Sequence, residues 1–312
     1  MEPIRLLGIT LVFVIPFCAH AQLSTPTEWE SQLYTDHSLV GRIWDSSVDS
    51  FITAGELSNA AREATYLILG EKHDNPDHHR LQLEFINLLL DAAALRHISF
   101  EMLDTDSQAL LNQMPDQQLE SLHELREYLA WDEEGWDWNF YGPLLQAAYS
   151  ADVPMAAGNI TNARIGEVYG LDSLPIEFDV LDSATVDQLF VDIDESHCGL
   201  LPESQFPAMV RVQQARDYSM AQSMAEPGAD GVTVLITGNY HARQDLGVPN
   251  YLLASQINVS LDDIVSIGLM EVQAGEEDPR AYLQQYGEIA AYDYIWFTPV
   301  VSEEDYCASL RQ

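Results

Sequence analysis

Two short stretches carry the residue types from which a reactive or binding site could be built: Gly70-Glu71-Lys72-His73 and Gly238-Asn239-Tyr240-His241. Each follows a run of β-forming residues. A glycine directly after a strand lets the backbone turn sharply and approach a ligand, and a histidine three residues later then points from the loop into a crevice. The two loops together with Glu101 supply two imidazoles, His73 and His241, and two carboxylates, Glu71 and Glu101. Such a set can hold a divalent metal ion through all four side chains, or exchange protons near neutral pH with Glu71 and Glu101 as the catalytic carboxylates. The competing reading is that these residues satisfy one another at the edge of a sheet.

Further polar residues cluster in sequence around them. After His73, Asp74-Asn75-Pro76-Asp77-His78-His79 begins a helix, with Asn75 as its cap and Pro76 in its first turn. An advance of about 100° per residue puts His79 in line with Leu83, Ile86 and Leu90, so His79 heads the buried face and His78 lies to its side. His79 alone reads as a core histidine, and its closeness to His73 suggests a role in orienting a ligand. Asp74 and Asp77 read as favourable charges at the helix start. A second helix, spanning about 205–224, carries Phe206, Met209, Val210, Met220, Ala221 and Met224 on one face, with Gln213 and Asp217 in its middle. A carboxylate there needs a partner, either Arg216 or a site histidine, and Asp217 could fix the tautomer of His241 or His73.

These residues need a frame. Runs at 66–69, 97–100, 155–157, 232–237, 264–269 and 294–297 read as buried strands, and helical patterns separate most of them. The fold class is therefore α/β, with a mainly parallel central sheet flanked by helices and an inserted helical lid. Residues 40–52 read as a short hairpin and 56–63 as a helix. Helical insertions are expected near 103–149, where Trp131, Trp136, Trp138, Phe140 and Tyr141 crowd together, and near 169–204. In open parallel sheets ligands gather beyond the carboxyl ends of the strands. The two glycine-histidine loops, Glu101 and Gly158-Asn159 all fall there, which makes Asn159 and Asn239 candidate ligand-binding residues.

Arg5, the apolar run at 6–17 and Ala19-His20-Ala21 form a signal-peptide pattern, with the mature chain of one α/β domain, 22–312, beginning at Gln22 and bound for the periplasm or the exterior. The apolar run is shorter than the ~20 residues a bilayer requires. Cys18 could mark a lipid anchor, but bulky Phe17 before it argues against that. Cys198 and Cys307 remain in the mature chain and can pair in an oxidising compartment. The formal charge is −37, and Lys72 is the only lysine. That field repels nucleic acid and anionic lipid and excludes both as partners; a ligand bearing carboxylates would need local arginines. Adaptation to a saline habitat accounts for the charge better than function does.

The stretch Leu69-Gly70-Glu71-Lys72-His73-Asp74-Asn75-Pro76-Asp77-His78-His79 resembles the opening motif of the ChaN-like haem-binding uptake family in the Tiki superfamily. Phe100-Glu101-Met102, His197-Cys198-Gly199 followed by Gln213 to Ala221, and Gly238-Asn239-Tyr240-His241 leading into Gly247-Val248-Pro249 agree in order. The resemblance implies haem ligated by a tyrosine and a place in bacterial iron acquisition. It brings with it an outer-membrane haem-uptake partner and a homodimer as expectations. It does not pick out the tyrosine; Tyr141, Tyr149 and Tyr240 are candidates by position. As a haem carrier the chain would bury the macrocycle against the Trp131 to Tyr141 aromatics and meet its propionates with Arg164, Arg216 or Arg243. The aromatics could equally be lid packing. Relatives in the wider superfamily resemble hydrolases, which would use His73, His241, Glu71 and Glu101 around a divalent metal and activate its water.

Overall fold

The computed structural model describes residues 22–225, 230–255, 259–283 and 289–310. The expected signal peptide, residues 1–21, lies outside the described residues. Strands β1 (Ile43–Asp45) and β2 (Ser50–Ile52) form the antiparallel hairpin expected early in the chain. Helix α1 (Ala54–Glu63) follows, started by a capping box in which Thr53 and Glu56 satisfy each other's backbone amides. Strand β3 (Tyr66–Glu71) leads to α2 (Pro76–Asp91), where Asn75 caps the Asp77 amide and Pro76 opens the first turn as the sequence predicts.

Strand β4 (Leu95–Asp104) is followed by α3 (Gln108–Gln113), α4 (Leu122–Tyr128), α5 (Trp138–Ser150) and β5 (Met155–Asn159). Next come α6 (Asn162–Tyr169), α7 (Ser183–Ser196) and α8 (Phe206–Ser223). Strand β6 (Val232–Gly238), the short α9 (Asn239–Ala242), α10 (Val248–Ser255), β7 (Ile264–Glu271), β8 (Tyr294–Thr298) and α11 (Tyr306–Leu310) complete the chain.

The eight strands form one sheet in the order β2-β1-β8-β7-β3-β6-β4-β5. It is parallel from β8 to β5, and only the β1 and β2 edge is antiparallel. Side chains of a strand alternate between faces, and the two faces meet different helices. Leu67 and Leu69 pack with Leu81, Phe85 and Leu89 of α2 and Leu145 of α5, whereas Tyr66 and Ile68 pack with Met220 and Ala221 of α8 and Tyr251 of α10. Burial on both sides explains why these strands read as continuous apolar runs; each fully buried leucine or phenylalanine contributes roughly 1.5–3 kcal/mol.

The stretch at 103–149 is the crossover between β4 and β5, with α5 packed on α2, so most of its aromatics belong to that helical layer. The stretch at 169–204 contains α7, which packs on α8 beyond the carboxyl end of the sheet. A disulfide joins Cys198, just past α7, to Cys307 in α11, with Cα atoms 5.5 Å apart. Among the described residues no helix is long and apolar enough to cross a membrane.

Candidate functional site

Parallel strands deliver Glu71, Glu101 and Gly238 to one edge of the sheet, since β6 lies between β3 and β4 in register. A cavity of about 1140 Å³ opens there, lined by Glu71, Lys72, His73 and Glu101 from β3 and β4, and by Gly238, Asn239, Tyr240 and His241 from the β6 end. The two glycine-histidine loops and Glu101 therefore do face one space. A side chain at Gly238 would push His73 from its place: a Cβ there would lie 2.9 Å from His73 Cε1.

Each histidine is fixed through Nδ1 by a carboxylate behind it. His73 Nδ1 donates to Glu71 Oε1 at 2.6 Å, and the Tyr141 hydroxyl donates to the same oxygen at 3.0 Å. Trp136 packs edge-on against His73, with ring centroids 4.9 Å apart. On the other side, His241 Nδ1 donates to Asp217 Oδ1 at 2.6 Å, as the tautomer argument anticipates for Asp217, and its Nε2 lies 3.5 Å from Glu101 Oε1. Thr237 Oγ1 and the Gly238 amide donate to Glu101 Oε2 at 2.7 and 2.8 Å. Glu71 Oε2 is buried and has no hydrogen-bond partner among the described residues.

These contacts set the charges. Burial opposes a proton on His73, but the Glu71 hydrogen bond and the charges of Glu71, Glu101 and Asp74 outweigh it and hold the pKa up at about 9. His241 is raised as well, burial being outweighed by Glu101 and Asp217. Burial of Glu101 is overcome by the two histidines and its hydrogen bonds, which keep its carboxyl below the ordinary value. At neutral pH His73 is thus an imidazolium beside carboxylates, and His241 is biased toward holding its proton, an arrangement suited to moving protons or gripping a polar ligand.

The metal-ligand set expected from His73, His241, Glu71 and Glu101 is not assembled. Among the described residues no group of three or more His, Cys, Asp or Glu is placed to hold a metal ion. Each histidine gives Nδ1 to its own carboxylate, which leaves Nε2 of His241 3.5 Å from Glu101 Oε1, and Glu101 turns its other oxygen toward β6.

Other expected residues sort into the cavity and its support. Tyr240 and Arg216 line the cavity. Tyr240 donates to Asp192 Oδ2 at 2.8 Å, and burial followed by the Asp192 charge pushes its phenol well up. Arg216 Nε is buried without a hydrogen-bond partner among the described residues. Arg243, by contrast, is buried and bonded to Asp245, and Arg164 pairs with Glu167 at the surface. Tyr141 is buried behind Glu71, and Tyr149 donates to the Gln117 carbonyl, so neither faces the cavity. His79 stacks on Phe140 and donates to the His73 carbonyl at 3.1 Å, a support for the loop. His78, placed to the side by the helical count, is fully buried: it accepts from the Lys72 amide at 2.9 Å and donates to Thr298 at 2.7 Å. Asn159 is buried and its side chain accepts from the neighbouring Ile160 amide. Of the aromatic cluster only Trp136 reaches the cavity; Trp131, Trp138 and Tyr141 pack together beneath it.

Several cavity residues escaped the sequence reading. Ile165, Tyr169, Leu189, Ile193, Met209 and Val212, from α6, α7 and α8, make an apolar wall, and Val300, Ser302 and Glu303 supply part of the rim. The sequence places Met209 only on the apolar face of its helix, and no local pattern marks the others. Glu271 was findable, because it ends β7 just as Glu71 ends β3; it receives Lys72 at 3.3 Å and Asn75 at 2.8 Å.

ChaN of Campylobacter jejuni, described in a study of cofacial haem binding to that protein, is similar at 24% identity and a TM-score of 0.66, over 81% of this chain and 95% of that one. That likeness shows the fold. An erythromycin esterase mutant in its open conformation (13% identity, TM-score 0.41, 69% of this chain and 72% of that one) and a MARTX toxin effector domain from Vibrio vulnificus (13%, 0.39, 66% and 33%) are also similar, at levels that carry no argument. No curated protein matches. A family model described as haem-binding uptake, Tiki superfamily, ChaN, matches residues 57–252, more than half of the chain, and so the chain belongs to the ChaN family of haem-binding uptake proteins.

Proposed function

We propose that this protein is an exported haem-binding protein of bacterial haem or iron uptake. The observation that carries the reading is the company Tyr240 keeps. Of the three tyrosines expected from sequence, it alone faces the cavity, and it does so beside the apolar wall of α6, α7 and α8 and beside the unpartnered nitrogen of Arg216. The cavity slightly exceeds the roughly 300–1,000 Å³ of ordinary small-molecule pockets, which suits a large flat macrocycle. Tyr240 would hold the iron, Arg216 a propionate, and the apolar wall a face of the ring. Bound haem would supply a ferric centre, for which the Tyr240 phenolate is a suitable ligand. The chain's own part is to offer that hydroxyl, exclude water with the apolar wall, and neutralise one carboxylate in an otherwise acidic molecule. Export rests on the residues before Gln22, and transfer to an outer-membrane partner and homodimer formation belong to the same proposal.

The decisive experiment titrates ferric haem into the purified mature protein. A tyrosinate-type visible spectrum is expected in the wild type and in a His73→Ala/His241→Ala double variant, and its loss in Tyr240→Phe but not in Tyr169→Phe. Failure of the wild type to bind at micromolar haem would overturn the reading. N-terminal sequencing of the exported chain should begin at Gln22; a retained leader or a lipidated Cys18 would refute export by this route.

One observation favours a second reading. Two histidines fixed by carboxylates, with Glu71 Oε2 left over, exceed what a tyrosine-ligated carrier requires. They support hydrolysis by acid–base chemistry, with Glu71 or Glu101 taking a proton from water and an imidazolium returning one to the leaving group. Hydrolysis of ester or amide probes by the wild type, absent from the double histidine variant, is the test; no turnover with either chain rules it out.

A further inference from the structure

We propose that α7 is a lid over the cavity mouth, held shut by the Cys198–Cys307 disulfide, and that breaking this bond frees a large ligand to pass. The inference rests on the proposed function in taking that ligand to be of haem size.

The lid is loosely packed by itself. Of the fourteen residues of α7 only Leu189 is buried, although the helix contributes Leu189, Asp192 and Ile193 to the cavity wall, and His197 follows directly after it. An element with so little buried surface opens at low cost unless something else restrains it. Beyond its packing on α8, where Phe190 stacks on Phe206 and Val186 and Ile193 are partly buried, two restraints are present among the described residues: the Tyr240 hydroxyl bonded to Asp192, and the disulfide directly beyond the helix end.

The other end of the disulfide is anchored to the rim. Val301 donates its amide to Glu271 Oε1 at 2.9 Å, Val300 bridges to Leu33, and the Tyr306 hydroxyl donates to Asp74 Oδ2 at 2.7 Å. The covalent link therefore ties the end of α7 to α11 and, through hydrogen bonds of Val301 and Tyr306, to the end of β7 and to Asp74.

Cys198 also occupies an unfavourable position. The Gly199 amide donates to the Asp194 carbonyl and the Cys198 amide to the Glu195 carbonyl, both at 2.9 Å. This is the helix-ending turn whose left-handed residue is usually glycine, yet Cys198 fills it at φ +62°. A cysteine carried there at conformational cost is consistent with selection for the link and not for the turn. Both cysteines are half-buried, within reach of a thiol in solution.

The step is a thiol–disulfide exchange. A dithiol reductant supplies two electrons and two protons, the S–S bond becomes two thiols, and the reductant leaves as a cyclic disulfide. Reoxidation reverses it.

The test compares the mature protein oxidised, reduced with dithiothreitol, and as Cys198→Ser/Cys307→Ser, by hydrogen exchange and by stopped-flow mixing with ferric protoporphyrin IX. Opening the bond should speed exchange of the α7 amides about tenfold or more while β3 and β6 stay protected. Haem should enter and leave about tenfold faster, with affinity nearly unchanged. Unaltered α7 exchange with both thiols shown free overturns the lid, and so does equal loosening of β3 and β6, which would make the bond a general staple. Faster α7 exchange with unchanged entry and exit rates overturns the gating. A wild type that binds no haem by any measure removes the proposed function, while the exchange comparison still decides whether the bond holds α7.

Discussion

Tyr240, at the end of β6, gives its hydroxyl hydrogen to Asp192 of α7, 2.8 Å away. The bond ties the proposed iron ligand to the lid, so a ligand that claims the phenol oxygen must take it from Asp192. Tyr240→Phe is expected to weaken ferric haem binding by tenfold or more, about 1.4 kcal/mol, and to abolish the tyrosinate spectrum. Tyr149→Phe should leave both unchanged, because its hydroxyl bonds the Gln117 carbonyl away from the cavity. Visible titration of the variants decides between them.

Arg216 makes a separate prediction. Its Nε is buried at the cavity with no partner among the described residues, whereas Arg243 is bonded to Asp245. Arg216→Met should weaken binding of haem by about 1.5–3 kcal/mol, the range for a charge-assisted hydrogen bond, and should weaken a propionate dimethyl ester much less. Equal losses for the two ligands would show that Arg216 does not meet a carboxylate.

His73 should titrate near 9, held there by Glu71 against the effect of burial. Its folded pKa lies above the unfolded value of 6.5, so its contribution to stability is full below pH 6.5 and is lost as pH rises through about 9. Glu71→Gln should return the His73 titration toward neutrality, read from its ring proton shifts in NMR. A His73 that still titrates near 9 in that variant would remove Glu71 as the cause.

His78 works in the opposite direction. Its burial, reinforced by the charges of His79 and Lys72, depresses its pKa well below 6.5, and its hydrogen bonds are those of a neutral ring. Stability linked to His78 is therefore complete above pH 6.5 and falls as pH drops below it, by up to about 1.4 kcal/mol per pH unit. Denaturant melts from pH 7 to pH 5 should show a shallower acid slope in His78→Gln than in the wild type, even though the variant is less stable at pH 7.

Added salt should raise the melting temperature, because a formal charge of −37 repels itself and screening acts over a Debye length of about 10 Å at 0.1 M. A melting point that stays flat or falls between low and molar salt would contradict this.

The sequence by itself determined the parallel α/β sheet, since strands such as β3 and β6, buried on both faces, have no choice but to read as apolar runs. It also determined which strand ends carry chemistry. Gly70, His73, Gly238 and His241 sit at fixed offsets from those runs, and Asn75 and Pro76 announce the helix that follows. Pairing across the fold was decided only by tertiary structure. Glu71 with Tyr141, His241 rather than His73 with Asp217, and Tyr240 with Asp192 join elements distant in sequence, and no local periodicity distinguishes these partners from the alternatives; Cys198 and Cys307, the two cysteines of the expected mature chain, had only each other. The same is true of exposure. Tyr141, Tyr149 and Tyr240 are alike as letters, and Arg164, Arg216 and Arg243 are too. Which of them faces the cavity depends on how α5, α7 and α8 pack beyond the sheet, where an apolar side chain lining a cavity and one filling a core leave the same trace in sequence.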